Sequence, residues 1–126
     1  MGDTVKQTKQ RENAFTFYQR NAASTSRAGY SFDDPRHARV AIASMGLAGE
    51  TGELVDMLKK WVGHGHELDL GEVEKELGDI LWYVAEIATI LDLRLAEIAE
   101  KNEEKLSARY PEGFSVERSR NRGANR

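Results

Sequence analysis

Between Gly46 and Trp61 the chain reads GLAGETGELVDMLKKW. Wound at 100° per residue, this stretch gathers Leu47, Leu54, Met57, Leu58 and Trp61 into one apolar stripe, with Glu50 inside it and Glu53 at its edge. A second stretch, EKELGDILWYVAEIATIL, repeats the anomaly: Glu76 falls within the Val73, Ile80, Tyr83 and Ile87 stripe, and Asp79 lies at its margin. Two helices therefore turn an acidic pair toward an interior. An ionised carboxylate withdrawn from water is penalised by several kcal/mol unless it is paired or metal-bound. Four converging carboxylates cannot satisfy one another, so a cation is expected at them, solvation at an end of the bundle relieving one pair more easily than both.

The rest of the chain is written in the same helical period. Strand alternation is absent, and only two prolines interrupt the sequence. A first helix is predicted from about Lys6 to Ala23, with Ala14, Phe15, Tyr18 and Ala22 on one face. After the turn-rich STSRAGYSFDD, Asp34 can cap a second helix with Pro35 at its first position, where a missing N–H costs nothing. That helix runs to about Val62 and ends in GHGHELDLG. Asp69 followed by Glu72 starts a third helix in the manner of a capping box. Its expected apolar face is Val73, Leu77, Ile80, Val84, Ile87 and Leu91. A fourth helix, LAEIAEKNEEKLSARY, stops at Pro111. Short connections between such helices predict an all-α bundle of four to five helices in one domain, residues 1–116, with a basic and disordered tail over 117–126. Gly46, Gly49 and Gly52 each cost a helix about 1 kcal/mol; the expected compensation is close approach of a neighbouring helix.

Charge distribution narrows the function. Residues 47–104 carry 15 acidic side chains against 5 basic ones, while the whole chain has a net charge of −3. An acidic centre with basic flanks argues against a nucleic-acid binder. No apolar run is long enough to span a membrane, and the N-terminus has no signal-peptide pattern, so a cytoplasmic location is expected. The absence of cysteine removes thiolate chemistry and Cys-based zinc sites.

Salt bridges could in principle neutralise the acidic pairs, but Lys59 and Lys75 point away from them and only Lys60 lies on the Glu53 flank. All-oxygen ligation suits a hard cation, Mg²⁺ or Mn²⁺. His64 and His66 lack a third nitrogen or sulfur ligand and read as loop residues. Carboxylate-held Mg²⁺ is a common way to bind polyphosphate. On the fourth helix Asn102, Lys105 and Arg109 share a face and could meet phosphate oxygens, or could form a solvated stripe paired with Glu103 or Glu104.

GLAGETGELVDMLKKWVGHGHELD, EKELGDILWYVAEIATILDL and EIAEKNEEKLSARYPEGFS together resemble the MazG-like members of the all-α nucleoside triphosphate pyrophosphohydrolase superfamily. The likeness covers about residues 40–116, and its core is Glu50-x-x-Glu53, a spacer, then Glu76-x-x-Asp79. The resemblance implies a divalent-metal-dependent enzyme that splits a nucleoside triphosphate between the α and β phosphates, giving the monophosphate and pyrophosphate. It implies Glu50, Glu53, Glu76 and Asp79 as metal ligands, with Glu53 our choice for the base that takes the proton of a water. It also implies Asn102 and Lys105, followed by Arg109 and Lys60, near the phosphates, and a homodimer or homotetramer with sites at subunit interfaces. A narrow dNTP or phosphoribosyl-ATP pyrophosphohydrolase, and a helical module that only senses a nucleotide, are the alternatives. Trp82 and Leu81 lie well around the third helix from its Ile80 and Ile87 stripe. They are expected to form an oligomer surface, the alternative being that Phe15 and Tyr18 cover them within one chain.

Overall fold

A computed structural model of the chain describes residues 12–26 and 35–122. The described residues form five helices and no strand: α1 (Ala14–Ser24), α2 (Pro35–His64), α3 (Leu70–Ile90), α4 (Leu95–Arg109) and α5 (Val116–Arg120). The all-α expectation holds. Pro35 opens α2 as its missing N–H favours, whereas the Asp34 cap lies outside the described residues. Asp69 caps α3 by accepting from the N–H groups of Gly71 and Glu72. Glu72 does not complete a capping box; its carboxylate takes Lys75 instead, at 2.7 Å.

The start of α1 differs from expectation. Residues 12 and 13 are not helical, because the Asn13 side chain accepts from the Phe15 N–H at 2.8 Å and caps the helix there. Residues 1–11 lie outside the described residues. At the other end, the tail expected to be disordered from 117 begins as α5, capped by the Ser115 hydroxyl; residues 123–126 are outside the described part.

α2 and α3 form an antiparallel pair. As residue numbers rise along α2 through Arg39, Gly46 and Glu50, their partners on α3 fall from Glu86 through Tyr83 to Asp79 and Glu76. Gly65, at φ +68°, turns the chain out of α2, and the His66 N–H returns to the Lys60 carbonyl at 3.1 Å. Gly46 permits the close approach expected of it: a Cβ there would lie 2.3 Å from the Tyr83 ring. Gly49 and Gly52 have no such neighbour within 4 Å, so close packing within the chain does not account for them.

The core sits at the end of this pair away from the α2–α3 loop. Ala22, Ala85 and Leu95 make its centre, with Tyr18, Trp82 and Val84 packed against them. α3 ends in a Schellman motif: the Asp92 N–H reaches the Thr89 carbonyl, the Leu93 N–H reaches the Ala88 carbonyl, and Asp92 takes the left-handed φ of 56°. α4 has no side-chain cap of its own. Gln19 of α1 supplies one, accepting from the Leu95 N–H at 2.8 Å while donating to the Leu93 carbonyl and the Thr89 hydroxyl. One amide thus fastens α1 to the α3–α4 corner.

Two expectations about packing are corrected. The deepest positions of α3 are Ala85, Glu86, Ala88 and Ile90, while Leu77 and Leu91 of the expected face are exposed; α1 and the start of α4 cover the arc that carries Trp82 and Ala85. Trp82 is not an outward patch: it packs on the core beside Tyr18, and its indole N–H donates to the Thr25 hydroxyl at 2.8 Å. Leu81 stays exposed, and Phe15 does not cover it, being exposed itself.

Candidate metal centre

Midway along the α2–α3 pair, Glu50, Glu76 and Asp79 each present a carboxylate oxygen, and the three oxygens lie within 4.8 Å of one another. Glu50 sits one turn beyond Gly46, so the Gly46–Tyr83 contact that draws the helices together also brings Glu50 over Glu76 and Asp79. Glu50 and Glu76 are half-buried and Asp79 is exposed. The Glu76 Oε2 is buried and, among the described residues, has no hydrogen-bond partner.

The electrostatics follow from the crowding. A hydrogen bond shared with Glu50, then burial, then the charge of Glu53 push the Glu76 carboxyl up to about 7. Tyr18 of α1 is raised by burial and, secondarily, by the charge of Asp79, which puts α1 beside the same cluster. An all-oxygen donor set, an orphaned buried oxygen and a carboxyl that resists ionisation are the marks of a site that lacks positive charge. The residues present fit a hard divalent cation.

Three of the four carboxylates singled out by spacing come together. Glu53 is exposed and stands outside the 4.8 Å group, although its charge reaches Glu76. Lys60 is engaged elsewhere: its ammonium meets Asp56 at 2.6 Å, and Lys59 meets the other oxygen of the same carboxylate at 3.1 Å. Those two bonds, led by that of Lys60, hold the Asp56 carboxyl below its usual range. His64 and His66 are exposed, edge-on to each other with ring centres 6.2 Å apart, and belong to no acidic cluster among the described residues.

Asn102, Lys105 and Arg109 lie on α4, which packs against α1. Lys105 and Arg109 line a cleft of about 710 Å³ between α4 and α5, together with Arg118 and Arg122. None of the four carboxylates borders it. Among the described residues, then, the acidic cluster and the Lys105–Arg109 cleft stand in separate places. Arg118 and Arg122 were hidden in the sequence as part of a basic tail.

A second charged feature went unread. Glu86, seven residues beyond Asp79 and so nearly in line with it along α3, is only 4% exposed. Arg39 of α2 reaches its Oε1 at 3.2 Å, and the Ser26 hydroxyl donates to the same oxygen. The signal available was the carboxylate in VAEIA, flanked by small apolar residues; its helical angle alone could not say which neighbour would cover it.

Residues 42–114 match the MazG nucleotide pyrophosphohydrolase domain. The chain is also similar to the Gene 37 protein of Mycobacterium phage L5, 35% identical over 78 residues that make up 59% of this chain and 68% of that protein. No solved structure matches. Among the described residues, no helix is long and apolar enough to cross a membrane. The matched region takes in α3, α4 and all of α2 from Ile42 onward, with every carboxylate of the candidate centre inside it, and the chain belongs to the MazG nucleotide pyrophosphohydrolase domain family.

Proposed function

We propose that the chain hydrolyses a nucleoside triphosphate between its α and β phosphates, releasing the monophosphate and pyrophosphate, with Mg²⁺ or Mn²⁺ held by Glu50, Glu76 and Asp79 and approached by Glu53. The observation that carries this reading is the convergence of three carboxylate oxygens within 4.8 Å around an unpartnered Glu76 oxygen, in a member of a pyrophosphohydrolase family. A divalent cation bound there supplies charge neutralisation at the phosphoryl oxygens and acidifies a water. Glu53, exposed at the margin of the cluster, accepts the proton of the water that attacks phosphorus. The P–O bond of the anhydride breaks, and the electron pair leaves with pyrophosphate.

Asn102, Lys105 and Arg109 receive phosphate oxygens in this reading, with Lys60 a further cation once it leaves Asp56. Because the cleft of Lys105 and Arg109 borders none of Glu50, Glu53, Glu76 and Asp79 of its own chain, the α4 face of a second copy is proposed to complete the site, in a homodimer or homotetramer. Val55, Trp61, Val62, Leu70 and Leu77, exposed around the loop end of the α2–α3 pair, supply apolar surface for that contact. Residues 1–116 are proposed as the working domain, in the cytoplasm.

The test is turnover of a panel of ribo- and deoxynucleoside triphosphates, with monophosphate and pyrophosphate quantified separately, with and without Mg²⁺ and after chelation. Metal-dependent, stoichiometric release of both products is expected. Tight nucleotide binding without turnover would replace the enzyme by a nucleotide sensor.

A further inference from the structure

A second polar site lies farther along the same two helices, beyond the acidic centre. Past the Gly46–Tyr83 contact, a cavity of about 200 Å³ opens between α2, α3 and the C-terminal end of α1. Its walls include Arg39, Ile42, Trp82, Tyr83 and Glu86. Glu86 is more than nine-tenths buried, yet its Oε2 has no hydrogen-bond partner among the described residues, and neither has the Arg39 Nε. Arg39 and Ser26 both engage Oε1. A buried, unpaired carboxylate oxygen costs free energy that a purely structural ion pair has no reason to incur. It is an acceptor left for a ligand.

Position says which part of a ligand. Glu86 follows Asp79 by seven residues and Glu76 by ten, so at 1.5 Å per residue the two sites are about 10–15 Å apart along α3. A triphosphate seated at the acidic centre and directed along α3 toward its C-terminal end would bring its base to this cavity, where Trp82 and Tyr83 offer aromatic surface and Ile42 an apolar wall. We infer that the cavity receives the nucleobase and that Glu86, oriented by Arg39 and Ser26, selects bases bearing an exocyclic amino group: cytosine, adenine or guanine over uracil and thymine. An amino N–H projects beyond the ring and can reach Oε2. The N3–H of uracil is flanked by two carbonyl oxygens, which would be brought against the carboxylate and repelled by it. The inference rests on the proposed triphosphate reading for the direction of the ligand.

The probes are the α,β-methylene analogues of CTP and UTP with Mg²⁺, tripolyphosphate as the base-free control, and the indole N–H resonance of Trp82 in ¹⁵N-labelled protein, assigned with Trp61→Phe. Expected are binding of the CTP analogue about tenfold tighter than that of the UTP analogue, the worth of one hydrogen bond to a charged group, and a Trp82 shift with the CTP analogue that tripolyphosphate does not produce. Glu86→Gln should bring the two analogues to within about twofold of each other and leave tripolyphosphate affinity unchanged. Equal affinities in the native protein, an unmoved Trp82, or an equal loss for tripolyphosphate in Glu86→Gln overturns the inference; if Glu86→Gln does not fold, the native ratio and the Trp82 shift still decide. Should no triphosphate bind at all, the proposed function fails first, and cytidine against uridine at millimolar concentration then reads the cavity alone, a silent Trp82 overturning it.

Discussion

The two ends of the α2–α3 pair are built from similar amphipathic sequence and end in different states. At the Arg39–Glu86 end, α1 and the start of α4 close over the helices: Ala22, Ala43, Ala85, Ala88, Ile90 and Leu95 are buried, Ala85 completely. There the acidic side chain that enters the interior, Glu86, has a guanidinium against it. Toward the loop end no helix among the described residues closes over them. Val62 is 78% and Leu70 68% exposed, and among the described residues Glu50, Glu76 and Asp79 enter no ion pair with a basic side chain. The same physical problem, a carboxylate on an inward stripe, is met by a guanidinium at one oxygen of Glu86 at one end and by no basic side chain among the described residues at the other. An open apolar end beside an uncompensated charge is the condition in which a metal and a second subunit both lower the free energy.

Removing one carboxylate from the open end should produce the largest effect. Glu50→Gln and Glu76→Gln are each expected to lower metal-dependent hydrolysis at least about a thousandfold, because a ligand that neutralises and positions the cation is lost. The metal-free variants should melt no lower than the native protein, since repulsion is relieved. Full turnover in either variant would remove the metal centre, whereas a collapse of the helical circular dichroism would show that the open end is a structural core after all.

Lys105→Ala probes whether the two charged places meet across copies. A loss of roughly ten- to a hundredfold in kcat/KM is expected, from one charge-assisted contact to phosphate, with Mg²⁺ affinity unchanged by titration calorimetry. Mixing Lys105→Ala chains with Glu50→Gln chains should restore part of the activity, because a hybrid interface then contains one intact site. No recovery after subunit exchange has been verified by mass spectrometry would place both groups in one chain.

These contrasts also explain what could be read in the sequence. Local chemistry was legible: Pro35 at a helix start, the Asp69 cap and the Pro111 stop gave the bounds of α2, α3 and α4 to within a few residues. Glu50 and Glu76 stood out because each breaks an apolar stripe at a position periodicity defines, with Glu53 and Asp79 at the margins of the same stripes. What depends on which element covers which arc was not legible. Trp82 lies on the arc that α1 covers, Glu86 is buried by neighbours far away in the chain, and Gly46 but not Gly49 or Gly52 meets an opposing ring. A helical angle says where a side chain points, not what stands there.

The glycines turn that lesson into a measurement. Gly46→Ala forces a Cβ into the Tyr83 ring and should destabilise by about 1–3 kcal/mol, the usual cost of overpacking. Gly49→Ala and Gly52→Ala, with open space around them in the chain, should stabilise the helix by up to about 1 kcal/mol each. Chemical denaturation of the three variants, repeated across protein concentration, separates the cases. A destabilised Gly49→Ala or Gly52→Ala whose deficit grows at high concentration would show a second copy approaching the helix there.

The smallest expected effect is a pH dependence confined to the open end. The Glu76 carboxyl titrates at about 7 in the folded chain because it shares a hydrogen bond with Glu50, is partly buried and feels Glu53. In the unfolded chain a glutamate titrates at about 4.3. Between those two values the folded protein holds a proton that the unfolded one has released, so raising the pH through this window removes stability from the fold. The metal-free protein is therefore expected to melt at lower temperature at pH 7.5 than at pH 5, with the slope flattening above about 7 once Glu76 is ionised in both states. Asp56, held low by Lys60 and Lys59, acts with the opposite sign and below this window, at the acid side of the ordinary aspartate range. Added Mg²⁺ must displace the Glu76 proton, so its stabilising increment should be small at pH 5 and grow toward pH 8. Differential scanning fluorimetry over pH 5–8.5, with and without Mg²⁺, reads both slopes, and Glu76→Gln should abolish the metal-free one while leaving the Arg39–Glu86 end intact. A metal-free profile that rises across the window, or a Glu76→Gln profile that keeps the native slope, would mean that the proton resides on another group and that the open end is not short of positive charge at Glu76.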